Sequence, residues 1–171
     1  MTTGWRRLAI AAAVFVALAV LWSWWHSPQR RIYRRLDALT DRLERHGEES
    51  SLAAVANAQG VVDFFAPGFV ARAQPYEGEL REPQELAGAV LRFRTGAQRI
   101  DIGVSDRRLT LAADKRSGTL FFVAAVTLDR GAGPARETRR VRTLWILDSG
   151  NWRIAELELL EPIEGAGALG L

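Results

Sequence analysis

The chain has no cysteine and only two histidines, and Lys115 is its only lysine. Without cysteine there is no disulfide framework and no thiolate zinc site. The absence permits an oxidising compartment without requiring one. His26 lies at the edge of an apolar run and His46 at a predicted helix end, so neither belongs to a cluster spaced for metal. No glycine-rich phosphate loop and no nucleophile motif is present. The expectation is therefore no metal, no cofactor and no assigned catalytic residue.

Charge is scarce in one place and one-sided in another. Residues 1–35 carry six arginines and no acid, whereas the rest of the chain holds 17 basic residues against all 20 acidic ones. The folded part is therefore mildly acidic despite a whole-chain charge of +3. A nucleic-acid partner would need a basic stripe on the domain itself, so none is expected. Arginines beside an apolar segment suit anionic lipid head groups.

That segment, "LAIAAAVFVALAVLWSWW" over residues 8–25, has no charge. As a helix it would run roughly 27 Å, close to the hydrocarbon thickness of a bilayer. Ala17-Leu18-Ala19 has the small-x-small form of a signal cleavage site. Cleavage there would leave a mature end beginning "VLWSWWH", and Trp22, Trp24 and Trp25 resemble an interfacial aromatic belt. We read the segment as an uncleaved signal anchor in an inner (cytoplasmic) membrane, with Arg6, Arg7, Arg30, Arg31, Arg34 and Arg35 at the lipid interface. Direction stays open. The four arginines after the belt argue for a cytoplasmic domain, and the short basic tail before it argues for export. The outward, extracytoplasmic reading is the one taken here.

Behind a basic tail (1–7) and the anchor (8–25), the organisation reads as a juxtamembrane amphipathic helix (26–47), a domain (48–162) and a flexible tail (163–171). Ile32, Leu36, Leu39 and Leu43 recur at helical spacing, which predicts a helix from about 29 to 46. "EESSLAAVANAQGVVDFF" predicts a second, with a break near Gly60, stopped by "APGF". A short strand follows at 69–73, and Pro83 opens a third helix with Leu86, Val90 and Phe93 along one stripe. From residue 97 the period becomes two. "QRIDIGV" and "RRLTLAA" are predicted to flank a turn at Ser105-Asp106. Two longer strands and "WRIAELELL" complete an antiparallel meander. The fold class is α+β.

The runs "VVDFFAPGFV", "GELREPQELAGAVLRF" and "GNWRIAELEL", in that order, resemble the nuclear transport factor 2-like (SnoaL-like) superfamily over about residues 48–162. The resemblance implies about three helices wrapped by a strongly bent, mostly antiparallel sheet that forms a conical pocket. It also implies that isomerases, dehydratases and non-enzymes are all open as functions.

Candidate ligand-pocket residues are Asp63, Tyr76 and Asp101. Asp101 alternates away from the apolar face of its strand, where a solvated or salt-bridged place is the plainer reading. "RETRRVR" (136–142) reads as an exposed edge or rim. Two strands look apolar on both faces, which requires a cover for the outer one. Phe121, Phe122, Val123, Leu144, Trp145 and Ile146 are the interface candidates, for a homodimer or a membrane-complex partner. The expected role is a membrane-anchored, non-catalytic scaffold. The alternative is a pocket that binds a small apolar ligand, with or without lyase or isomerase activity.

Overall fold

Helix formation starts at the Ser27-Pro28 step. In the computed structural model, which describes residues 14–16, 18, 22, 27–75, 78–131 and 133–164, α1 runs Pro28–Leu43. The Ser27 hydroxyl accepts from the Arg30 amide at 3.5 Å, and Pro28 occupies a position that needs no amide donor. α1 stops short of the predicted end. Arg45 and His46 leave the helix to form a short strand, β1 (Arg45–His46), opposite Ile100 and Arg99.

α2 (Ser51–Val62) is capped by the Ser50 hydroxyl, which accepts from Ala53 at 3.2 Å. The predicted break at Gly60 does not occur. A Cβ there would lie 2.0 Å from the Arg42 guanidinium, so glycine serves the close approach of α1 to α2. α2 does end before "APGF", at Val62, but β2 (Phe65–Ala73) runs through that stretch instead of starting after it. Gly68 at φ 72° and a register shift between Phe65 and Val70 absorb the irregularity. β3 (Glu79–Leu80) follows, and α3 (Pro83–Thr95) opens with Pro83 in its first turn.

Four long strands follow: β4 (Arg99–Leu111), β5 (Ser117–Asp129), β6 (Pro134–Asp148) and β7 (Asn151–Glu164). The sheet order is β1-β4-β5-β6-β7-β2-β3, antiparallel except where β2 runs parallel to β7. The predicted turn at Ser105-Asp106 is instead a bulge inside β4, with Asp106 at φ 51°. The extra residue accompanies a tie to α1: Arg107 meets Asp37 at 2.6 Å and lies over the Tyr33 ring at 5.8 Å.

One face of the sheet carries the core. Leu120 and Phe122 on β5, Val141 and Trp145 on β6, and Trp152 and Ile154 on β7 pack with Ile32 and Leu36 of α1 and Val61 of α2. Each such aliphatic side chain contributes about 1.5–3 kcal/mol through burial. Trp145 is 0% exposed, and its indole donates to the Thr143 hydroxyl at 2.9 Å. α1 thus packs into the core of the domain. Two of the arginines assigned to lipid hold it in place. Arg31 donates to the Gly150 carbonyl at 2.5 Å, and Arg35 donates to the Trp152 and Asp63 carbonyls at 3.2 and 3.0 Å. Arg35 also lies over the Phe64 ring at 4.4 Å.

The basic tail, Trp24, Trp25, most of the apolar run and residues beyond 164 lie outside the described residues. Val14, Phe15, Val16, Leu18 and Trp22 are helical and exposed. No helix among the described residues is long and apolar enough to cross a membrane.

The helix ends meet at Arg94. Its buried guanidinium donates to the Arg42 and Glu44 carbonyls at the end of α1 and pairs with Glu49 at 2.6 Å. Asn57 of α2 donates to the same carboxylate at 2.7 Å. Burial alone would raise the Glu49 pKa. The bonds from Arg94 and Asn57, with the positive charges of Arg94 and Arg45, outweigh it and hold the group below the usual carboxylate range. A lowered folded value means that this stabilisation is complete above about pH 4.5 and is lost as pH falls through that lowered value. Urea midpoints are therefore expected to drop as pH is taken from 7 to 3. Glu49→Gln, about 1–3 kcal/mol less stable at pH 7, should lose part of that slope. A variant retaining the whole slope would place its source elsewhere.

Candidate functional site

The bent sheet and the helices do not close completely on each other. Between them lies an apolar cavity of about 260 Å³. α1 gives it Leu36, Leu39 and Leu43, and α3 gives it Leu86, Val90 and Phe93. The floor comes from Ile102 and Val104 on β4, Ala124 and Val126 on β5, Val141 on β6, and Leu157 and Leu159 on β7. Among the described residues Thr40 is the one polar side chain of the lining. Leu86, Leu157 and Leu159 also border a cleft of about 510 Å³ beside β2 and β3.

The sequence-predicted pocket residues do not converge here. Asp63 caps the end of α2 at the surface. Asp101 faces out of the sheet, bonded to Arg99 at 2.7 Å and near His46 at 3.5 Å. The hydrogen bonds from Arg99 hold its carboxyl below the usual range. Tyr76 lies outside the described residues. His46, predicted at a helix end, stands on β1 between Asp101 and Glu44, the latter at 3.4 Å.

The interface candidates divide by parity. Trp145 and Phe122 belong to the core face, so their assignment to an interface is corrected. Phe121 is 45% exposed and Val123 partly so on the outer face, while Leu144 and Ile146 are half-buried. With Ile163, 49% exposed, Phe121 and Val123 border an outer groove of about 540 Å³ rimmed by Arg108 and Arg140.

The "RETRRVR" stretch also needs correction. Glu137 and Arg139 are only 1% and 4% exposed. They share strand parity with Val141, Thr143 and Trp145, all buried, and so face the core side of the sheet. Arg139 Nε donates to Glu137, and Nη1 donates to the carbonyls of Gln74 at 2.6 Å and Leu160 at 3.3 Å. The available signal was alternation counted back from Trp145. The density of charge concealed it.

A cone-like sheet over three helices, with an apolar space between them, is a geometry known from solved structures. An NTF2-like protein with a cystatin-like fold from Novosphingobium aromaticivorans aligns over 92% of both chains, at TM-score 0.62 and 10% identity. The fold is NTF2-like. A protein of the same organism with a provisional scytalone dehydratase assignment covers 78% of this chain and 85% of its own, at TM-score 0.65 and 9% identity. A provisional calcium/calmodulin dependent protein kinase II association domain from Xanthomonas campestris covers 76% and 84%, at TM-score 0.61 and 18% identity. No family model and no curated protein matches the sequence. At these identities the likeness establishes the α+β, cystatin-like NTF2 fold with its seven-stranded sheet, and the fold alone.

Proposed function

We propose that this chain is a binding protein whose cone takes a small apolar ligand. The cavity carries the reading: its lining is apolar apart from Thr40 and is drawn from the helices and all four long strands. An engineered apolar cavity of about 150 Å³ already binds benzene, so a fused two-ring hydrocarbon is a fair probe for this larger space. No titratable group lines the cavity among the described residues, so proton transfer is not part of this reading. Calorimetric titration with tetralin is expected to show one saturable site. Ala124→Phe should weaken it at least tenfold while shifting stability by no more than about 1–3 kcal/mol. No saturable binding to the wild type would overturn the reading.

A second reading, an assembly module, rests on the outer groove with Phe121 and Ile163 exposed beside it. The fold neighbour assigned as an association domain is compatible with it. In this reading two copies meet through the outer sheet face. Sedimentation should then give a dimer, and Phe121→Asp a monomer of unchanged melting behaviour.

For the address, the uncharged run 8–25, with Val14, Phe15, Val16, Leu18 and Trp22 exposed, supports a membrane anchor, and the orientation proposed with it, from the short basic tail before the run, puts the cone outside the inner membrane. An alkaline phosphatase fusion at Leu171 should be active in that orientation. An inactive fusion, with a fluorescent green fluorescent protein fusion at the same site, would mean a cytoplasmic domain.

A further inference from the structure

The apolar floor of the cone does not end at the cone. Phe122 on β5, Val141 on β6, Leu159 on β7 and Ala73 on β2 stand in one row, each the ladder partner of the next. Residues level with one another on neighbouring strands share a face, and at about 4.8 Å between strands this row is about 14 Å long. Phe122, Val141 and Leu159 line the cavity, whereas Ala73 lines the cleft beside β2 and β3. A second row repeats the pattern. Leu157, in the cavity lining, is level with Ala71 on β2, and Ala71 with Leu80 on β3, both in the cleft lining.

One layer of side chains parts the two spaces, because Leu86 of α3 and Leu157 and Leu159 of β7 border both. Alanine at 71 and 73 keeps the β2 side of the floor low, where a larger residue would fill the cleft. The far wall, β3, is two residues long and meets β2 through two ladder pairs. Charge in the cleft lining is matched internally, since Arg72 and Glu79 pair at 2.5 Å. A compact ring system occupies the cone and leaves the cleft unused. A chain one methylene wide can lie along the rows and use both.

We propose that the ligand is a single-chain lipid, a linear acyl or alkyl chain that extends from the cone across β7 into the cleft between β2 and β3. Its terminal methyl lies in the cone, and its polar end stays in water beside the Arg72–Glu79 pair. Leu86, Leu157 and Leu159 move aside to let the chain pass. No bond is made or broken. This inference rests on the cavity reading above and narrows its ligand class.

The chain has no cysteine, so Ala73→Cys gives the full-length protein a single thiol in the cleft. Its rate of modification by methyl methanethiolsulfonate reports whether the cleft is occupied, and its tetralin binding checks that the variant folds. Hexadecanoate at ten times its dissociation constant should slow modification about tenfold, in proportion to the sites left empty. Tetralin, held in the cone alone, should leave the thiol reactive. The concentration of acid giving half protection should fall from dodecanoate to hexadecanoate by on the order of a hundredfold, since each methylene taken from water is worth about fourfold. In the wild-type sequence at position 73 the same gain in affinity with chain length should appear by calorimetric titration. A thiol left unprotected by saturating hexadecanoate, equal protection by tetralin, or affinity independent of chain length would overturn the inference while tetralin binding stands. Failure of tetralin and of both acids to bind the wild type overturns the cavity reading and this inference together.

Discussion

A single guanidinium sets where the helices sit. Arg94 projects from the last turn of α3, takes the terminal carbonyls of α1 and holds Glu49, which Asn57 of α2 also grips. The last carbonyls of a helix have no partner within it and must be met by another group. Here one side chain meets them and fixes a second and third helix at the same point. Arg45 extends the junction by donating to the Arg94 and Ala97 carbonyls at 2.9 and 2.6 Å. A buried charge with this many partners tolerates little displacement, because each lost bond leaves a desolvated group behind.

The cavity follows from that fixation. Helices held at their ends cannot slide to fill the space above β4, β5 and β7, and the sheet is kept curved by its bulges at Ser105–Arg108 and within the β6–β7 ladder. Arg107, Arg31 and Arg35 brace α1 from the other side. The apolar space is thus a product of the scaffold, shaped by polar ties at its periphery. The outer face is a different surface chemically. Arg108, Arg140 and Arg142 alternate there with Phe121 and Val123.

Much of the fold was legible because it depends on local periodicity. The stripes of α1 and α3, the switch to period two after residue 97 and Pro83 as a helix opener all have short-range causes. What escaped depends on neighbours distant in sequence. Gly60 stays within its helix, and the Arg42 guanidinium of α1 occupies the space beside it. Asp106 is a bulge and not a turn, because β4 continues along β5 on both sides of it. The site was less legible than the fold. Asp63 and Asp101 were singled out as acidic residues near apolar ones, yet both stand outside the cavity. Glu137 and Arg139 belong to a charged run that reads as solvated, although their parity with Trp145 places them inward. Trp145 and Phe122 face the core for a reason their strands conceal: apolar character on both faces obscures which residues point in.

The parallel pairing of β2 with β7 has a consequence for the order in which the molecule can be completed. Phe65, Val70 and Ala71 find their ladder partners at Ile154, Glu156 and Leu157, far downstream in the sequence. During synthesis β2 therefore emerges long before the strand it adjoins, and until then its inward phenylalanines lack one wall of their core. Contacts this distant in sequence slow closure and leave apolar surface exposed while the chain waits. Emergence of β7 from the ribosome, more than formation of any helix, is the event that can seal the cone.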